Sequence, residues 1–232
     1  SDRLGGGGRG EHWGNEGLTN PTAAAQKGLL IHTATDVTNG PANPGPDYAT
    51  GYGMVNGRAA ADFITDALTK PVGMREAHFH QETLSDGATH SETFQAIGGP
   101  VKATLVWTDP AGTARTGTDN MTSVLVNDLD LRIESTSTFF PWTLDMNSPA
   151  NSAVRTGKNE VDNIEQVVID NLSAGTVFTV IVEHDTALVN PQEFSFLLSG
   201  ALVPEPAGAV LAIIANVSLL LLRRPWPRYT AC

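Results

Sequence analysis

One cysteine, Cys232, stands in a chain of 232 residues. A lone thiol excludes a disulfide framework and any zinc site built on cysteine. Positive charge is scarce too: 14 Lys and Arg stand against 25 Asp and Glu, a formal net charge of −11. That balance lacks the basic face nucleic-acid binding needs, so no nucleic acid is expected among the partners. Charged residues of both signs make up only 17% of the chain. The acid excess fits an exported ectodomain or a cation-binding one, and equally a chain that is simply soluble. No N-terminal signal peptide is visible, and the chain opens Ser1-Asp-Arg-Leu without an initiator Met. Gly5 to Gly8 have no strand before them and no Lys-Ser/Thr after them, which excludes a phosphate loop. Residues 1–17 read as a flexible Gly-rich end.

What is present begins with the tail. Val203-Pro-Glu-Pro206 precedes 16 residues, 207–222, without a charge, and Arg223-Arg224 follows. As a helix the run would cover about 24 Å, short of the roughly 30 Å hydrocarbon core. A buried core helix is therefore one reading. The terminal position and the Arg pair favour a membrane segment with a basic stop. Pro-Glu-Pro, apolar run and Arg cluster resemble the PEP-CTERM sorting signal of bacterial exported proteins, although Pro225-Trp-Pro-Arg-Tyr-Thr-Ala-Cys232 extends beyond it. That resemblance implies export, membrane contact through 207–222, recognition by an exosortase-like sorting machinery, and a cell-envelope or extracellular location. An export tail without an export head also suggests the C-terminal part of something longer.

Residues 18–68 read as two helices. The first is expected over 22–33, capped by Thr19 or Asn20 with Pro21 in its first turn. The second is expected over 58–68, with Ala59, Ala60, Phe63, Ile64 and Leu68 on its buried side. Gly40-Pro-Ala-Asn-Pro-Gly-Pro46 between them can be neither helix nor sheet. Lys27-Gly-Leu-Leu-Ile-His-Thr33-Ala34-Thr-Asp36 with Gly45-Pro-Asp-Tyr48 and Gly51-Tyr-Gly-Met-Val-Asn56 resembles the end of a subtilisin-like (subtilase) catalytic domain. The resemblance implies a parallel α/β fold and serine endopeptidase activity. The Asp, His and Ser of that chemistry lie upstream of the matched part, and no Gly-Thr-Ser-x-Ala stands in this chain. The chain as given is thus expected not to cut peptides by itself. Helices of an α/β layer need the sheet they cover, so residues 1–68 are expected to pack poorly in isolation.

From Pro71 the texture changes to strands. Residues 76–84 alternate, Ser85-Asp-Gly87 turns, and 89–94 returns, which predicts a hairpin. Further strands are expected over 101–107, 129–133, 165–169, 177–182 and 193–198. Such spacing predicts an antiparallel β-sandwich or jelly roll over 69–203. The fold class is therefore mainly β, with two helices before the sandwich and a hydrophobic helix after it. His78 and His80 share one side of their strand and read as a solvated face, or as two ligands needing a third. His32 reads as a packing or surface residue.

Asp109, Asn127, Asp128, Asp130, Asn159, Asp162 and Asn163 stand at strand-to-loop junctions, with Glu165 just beyond. Calcium takes 6–8 oxygens of this kind, and a cysteine-free exported domain needs some staple. Turn-making and loop-capping is the plainer use of the same residues. Trp107-Thr-Asp-Pro110, Leu125-Val-Asn-Asp-Leu-Asp-Leu131, Asn159-Glu-Val-Asp-Asn-Ile-Glu-Gln-Val167, Gly175-Thr-Val-Phe-Thr-Val180 and Gln192-Glu-Phe-Ser-Phe196 together resemble the β-domain that follows the catalytic domain in some alkaline bacterial subtilases. That resemblance implies a calcium-binding jelly roll and makes the seven residues candidate ligands. The combined expectation is the C-terminal portion of an exported subtilase: catalytic remnant (18–68), β-domain (69–203) and sorting tail (204–232). Its peptide substrate would meet the missing catalytic part. The rival is a non-catalytic cell-surface binding module.

Overall fold

The computed structural model describes residues 20–37, 44–117 and 122–204. The Gly5–Gly8 run, His12 and residues 205–232, with the apolar run and the Arg pair, lie outside the described residues. Among the described residues no helix is long and apolar enough to cross a membrane.

Among the described residues two helices come first: α1 (Ala23–His32) and α2 (Gly57–Thr69). A 3-10 turn at Val72–Met74 follows. Then come β1 (Ala77–Leu84), β2 (His90–Ala96), β3 (Gly99–Trp107), β4 (Leu129–Glu134), β5 (Thr138–Phe139), β6 (Ile164–Leu172), β7 (Val177–His184), β8 (Gln192–Ser199) and β9 (Ala201–Leu202). One sheet runs β1-β8-β3-β6 and the other β5-β4-β7-β2-β9. Every pairing is antiparallel. The protein is mainly β, two sheets face to face.

Alternation builds the core. Val101, Ala103, Leu105 and Trp107 of β3 meet Leu129, Leu131 and Ile133 of β4 across the gap, with Phe94, Phe178, Phe194 and Phe196 filling it. All belong to one buried cluster, and burying each large side chain contributes about 1.5–3 kcal/mol.

The strand positions follow the alternation in the sequence, but the expected hairpin does not form. β1 pairs β8 over eight residues, from Ala77↔Ser199 to Leu84↔Gln192. β2 pairs β7 and β9 in the opposite sheet. The link at 85–89 crosses between the sheets and is tied to the far side. There the Leu188 amide donates to Asp86 Oδ1 and the Gly87 amide to His184 Nε2. β1 and β2 therefore turn their faces toward each other rather than pairing edges. This overturns the solvated reading of His78 and His80: both are buried, 4% and 8% exposed.

The helices are not left without a partner. α1 lies on the outer face of β3 and β8, and α2 on β1. Gly28 makes this close: a Cβ there would stand 2.7 Å from Leu197 Cδ1. Beneath α1, His32 sits with Nδ1 2.8 Å from Thr104 Oγ1 and Nε2 3.1 Å from Ser199 Oγ. Burial, then the charge of Lys102, holds its imidazole well below the usual range. The expectation of poor packing thus does not hold for the described part of this segment, because the sandwich itself supplies the sheet. The α1 cap is Thr22, whose Oγ1 accepts the Ala25 amide at 3.1 Å; Pro21 stands before it. Asn56 caps α2 in the same way, accepting from Ala59 at 2.9 Å. In the Gly-Tyr-Gly turn, Gly53 has φ 104°, and a Cβ would meet the Thr35 carbonyl oxygen at 2.3 Å. That closeness lets Thr35 and Met54 bridge.

Candidate functional site

The acidic junctions gather where β3, β4 and β6 end. Trp107 Nε1 donates to the Asn127 carbonyl at 2.9 Å and anchors the loop before β4. Asp109 accepts the Val126 amide at 2.7 Å and the Asn127 amide at 2.8 Å, one on each oxygen. Asn127 donates to Gln192 Oε1 at 2.8 Å and accepts the Val189 amide at 2.9 Å. Asn163 donates to the Trp107 carbonyl at 2.8 Å and accepts from Lys27 Nζ at 2.9 Å. Asn159 accepts the Val161 amide and donates to Asp162 Oδ2 and the Ile164 carbonyl. Asp109, Asn127, Asn159 and Asn163 thus spend their side chains on holding loops, as Asn and Asp commonly do. Asp162 is exposed and accepts from Asn159.

Asp128 and Asp130 stand differently, and with them Glu165. β5 pairs only Ile133 and Glu134 of β4, which leaves the start of that edge open. Glu165 shares the parity of Val167 and Ile169 on β6 and so points between the sheets. It is 0% exposed and accepts the Leu131 amide at the open edge. The Asn159 amide bonds it as well. Its other oxygen, Oε1, has no hydrogen-bond partner; neither do the buried Oδ1 atoms of Asp128 and Asp130. Burial raises the Glu165 pKa well above the carboxylate range, and the charges of Asp130 and Asp128 add to it. Burial likewise pushes Asp128 up to about 6, helped by Asp130, Glu160 and Asp185.

Lys158 is the counterion this cluster already owns. Its Nζ lies 2.7 Å from Asp185, 3.0 Å from Asp130 Oδ2 and 3.4 Å from Glu183. Burial works against its charge, but the hydrogen bonds to Asp185 and Asp130 outweigh that and raise its pKa. Arg132 pairs with the same Glu183 and holds its carboxyl low. These partners leave the buried Asp128 Oδ1, Asp130 Oδ1 and Glu165 Oε1 without a hydrogen bond. A buried carboxylate oxygen without a partner costs free energy, so the arrangement calls for a proton or a cation. Among the described residues no three His, Cys, Asp or Glu side chains already stand at metal-holding spacing. Asn side chains and carbonyl oxygens, which calcium also accepts, lie outside that donor set. Sequence reasoning passed over Lys158, Glu183 and Asp185. Glu165 was visible as part of the acidic run, and its parity with Val167 and Ile169 was the signal that it points inward.

A second polar cluster lies at the β1–β2 margin. His78, His80, His90 and Glu92 all face the interior, walled by phenylalanines: His78 on Phe94 at 5.1 Å, His90 on Phe194 at 5.6 Å, His80 on Phe196 at 6.0 Å.

No family model matches this chain. No curated protein matches it either. Among solved structures, 11 chains match. One is the crystal structure of the Yersinia pseudotuberculosis-derived mitogen, 11% identical, covering 56% of this chain and 97% of that one with a TM-score of 0.29. A likeness that weak carries no argument about this protein.

Proposed function

We propose that this chain is the C-terminal portion of an exported subtilisin-like serine endopeptidase, in which a calcium-stapled jelly roll braces the end of the catalytic domain. The observation that carries the calcium part is the set of three buried, unpartnered oxygens on Asp128, Asp130 and Glu165. Asp128, Asp130 and Glu165, which do not already stand at metal-holding spacing, would close on the ion, and Asp109, Asn127, Asn159 and Asn163 would fix the loops around it. Bound calcium would neutralise the inner carboxylates and link β4 to β6. The strand orders β1-β8-β3-β6 and β5-β4-β7-β2 interleave the chain as two Greek keys do, which supports the jelly-roll reading. α1 and α2 carry the subtilase-like motifs and fit closely onto the sandwich, which supports bracing as the role of the β-domain. The sorting tail would direct the protein to the envelope, with the exosortase-like machinery and the membrane as partners.

Calorimetry or thermal unfolding of the whole chain with calcium and with a chelator tests the staple. A fall of several degrees on chelation is expected, and Glu165→Gln should abolish the difference. An unchanged midpoint would withdraw calcium. The protease part is tested at the DNA: an in-frame Gly-Thr-Ser-x-Ala upstream supports it, and a start codon at Ser1 removes it. One observation favours the rival, a surface module without catalysis. The described residues form buried clusters among themselves, helices included.

A further inference from the structure

β1 and β2 lie in different sheets and share no ladder, so side chains must join them. Two imidazoles and one carboxylate are placed to do so. His80 Nε2 of β1 lies 3.8 Å from Glu92 Oε2, and His90 Nε2 of β2 lies 3.8 Å from Glu92 Oε1. The carboxylate is thus clasped from both sheets, one nitrogen to each oxygen. Both gaps are too long for a hydrogen bond yet short enough for strong electrostatic coupling. Glu92 Oε2 and His90 Nε2 are sheltered from water and have no hydrogen-bond partner.

Among the described residues no lysine or arginine pairs with this carboxylate. From β1 it faces His80 and Glu82, while Phe196 and Phe194 of β8 lie against the His80 and His90 rings. β7 sets Val180 and Val182 opposite Glu92 and His90. Arg75, before β1, acts on His78 and His80, and Asp66 of α2 acts on His78. Glu82 adds negative charge to the site. Burial opposes a charge on either imidazole, and on His80 so strongly that its pKa falls to about 3. A proton is therefore the charge most readily available to Glu92, and burial, aided by Glu82, raises its pKa to about 7. In a trio coupled this closely the proton belongs to the group rather than to one member.

We propose that His80, Glu92 and His90 form a proton-operated latch between the two sheets, closed by one shared proton and loosened when alkali removes it. The latch acts locally, because β3, β8 and the aromatic core hold the sandwich without it. It does not depend on calcium or on the protease reading.

Amide hydrogen exchange on the whole chain, at fixed calcium from pH 5.5 to 8.5 and corrected for intrinsic rate, tests it. Protection of β1 and β2 should fall as pH rises through about 7, by at most about tenfold per pH unit for one lost proton, and level off once the closed state has ionised as well. Protection of β3 should stay level. Glu92→Gln, which keeps the shape without the titration, should flatten the β1 and β2 profiles. Level profiles in the unaltered protein, or the same slope in Glu92→Gln, would overturn the latch. The unaltered protein decides the matter even if the variant fails to fold.

Discussion

Glu165 and Glu92 face the interior of this sandwich at opposite margins, and the protein treats them differently. Glu165, at the β4–β6 margin, is surrounded by more acid: Asp128, Asp130 and, further out, Glu183 and Asp185. A lysine neutralises only the outer part of that set. Glu92, at the β1–β2 margin, is surrounded by imidazoles. The first site keeps an excess of negative charge around its buried carboxyl. The second has a deficit of a single proton. Burial raises the pKa of both acids, yet the neighbours decide which species completes the site.

The largest expected effect separates the structural from the charge role of Glu165. Glu165→Ala would strand the Leu131 and Asn159 amides in a dry interior. Each orphaned donor costs about 1–3 kcal/mol, so a loss of about 4 kcal/mol is expected with or without calcium. Glu165→Gln keeps the acceptor and should cost less than about 1 kcal/mol in chelator. Urea unfolding of both variants makes the contrast. Equal losses would mean that the carboxylate serves through its charge alone.

The next effect belongs to Glu92 and depends on pH. Its folded pKa, about 7, stands above the ordinary 4.5. The stability this gives is fully present below pH 4.5 and is lost as pH rises through 7. A shift of that size is worth up to about 3 kcal/mol at 1.4 kcal/mol per unit. His80 has the opposite sign. Its folded pKa is depressed to about 3, so its contribution is present above pH 6.5 and is lost as pH falls through 3. Unfolding free energy should therefore decline between pH 6.5, above which His80 no longer offsets Glu92, and about 7, and then level off; Glu92→Gln should remove that decline. A variant that declines as steeply would place the titration elsewhere.

The two margins were unequally legible in the sequence. Strand positions came through because Val101, Ala103, Leu105 and Trp107, or Leu129, Leu131 and Ile133, alternate cleanly. The β1–β2 margin misled because its inward positions carry His78, His80, Glu82, His90 and Glu92. Polar residues at period two read as a wet face and the turn between them reads as a hairpin. Local pattern carries no information on which sheet a strand joins; that is decided by long-range ladders such as Leu84↔Gln192. At the acidic margin, residue type marked the right loops but could not separate loop-holders such as Asn127 from carboxylates with unmet oxygens such as Asp130. That distinction depends on partners 34 to 65 residues away, as with Leu131–Glu165 and Asn127–Gln192.

Lys158 gives a smaller and conditional effect. Lys158→Ala removes the cation paired with Asp130, which is 3% exposed, while Glu183 keeps Arg132. Breaking a fully buried pair costs about 3–5 kcal/mol and an exposed one under about 1, so this half-buried pair should cost about 2 kcal/mol in chelator. With calcium bound at Asp130 the loss should shrink, since the ion supplies the missing charge. Thermal unfolding of the variant across a calcium titration measures it. A loss that calcium does not diminish would separate the lysine from the ion site.

The smallest expected effect is a control on both margins. Thr22→Ala removes the Oγ1 that accepts the Ala25 amide at the start of α1, worth about 1 kcal/mol. The cap lies on the outer face of the sandwich, where the Thr22 amide also donates to Gln81 of β1 at 2.8 Å. Gln81 points away from the interior that holds His80 and Glu82, so α1 touches β1 without touching the latch. The loss should therefore be the same at pH 6 and 8.5, and the same with calcium or chelator, in parallel unfolding curves. A loss that changes with pH would mean that the helix layer and the β1–β2 margin move together. The proton would then be holding the helices onto the sandwich as well as one sheet onto the other.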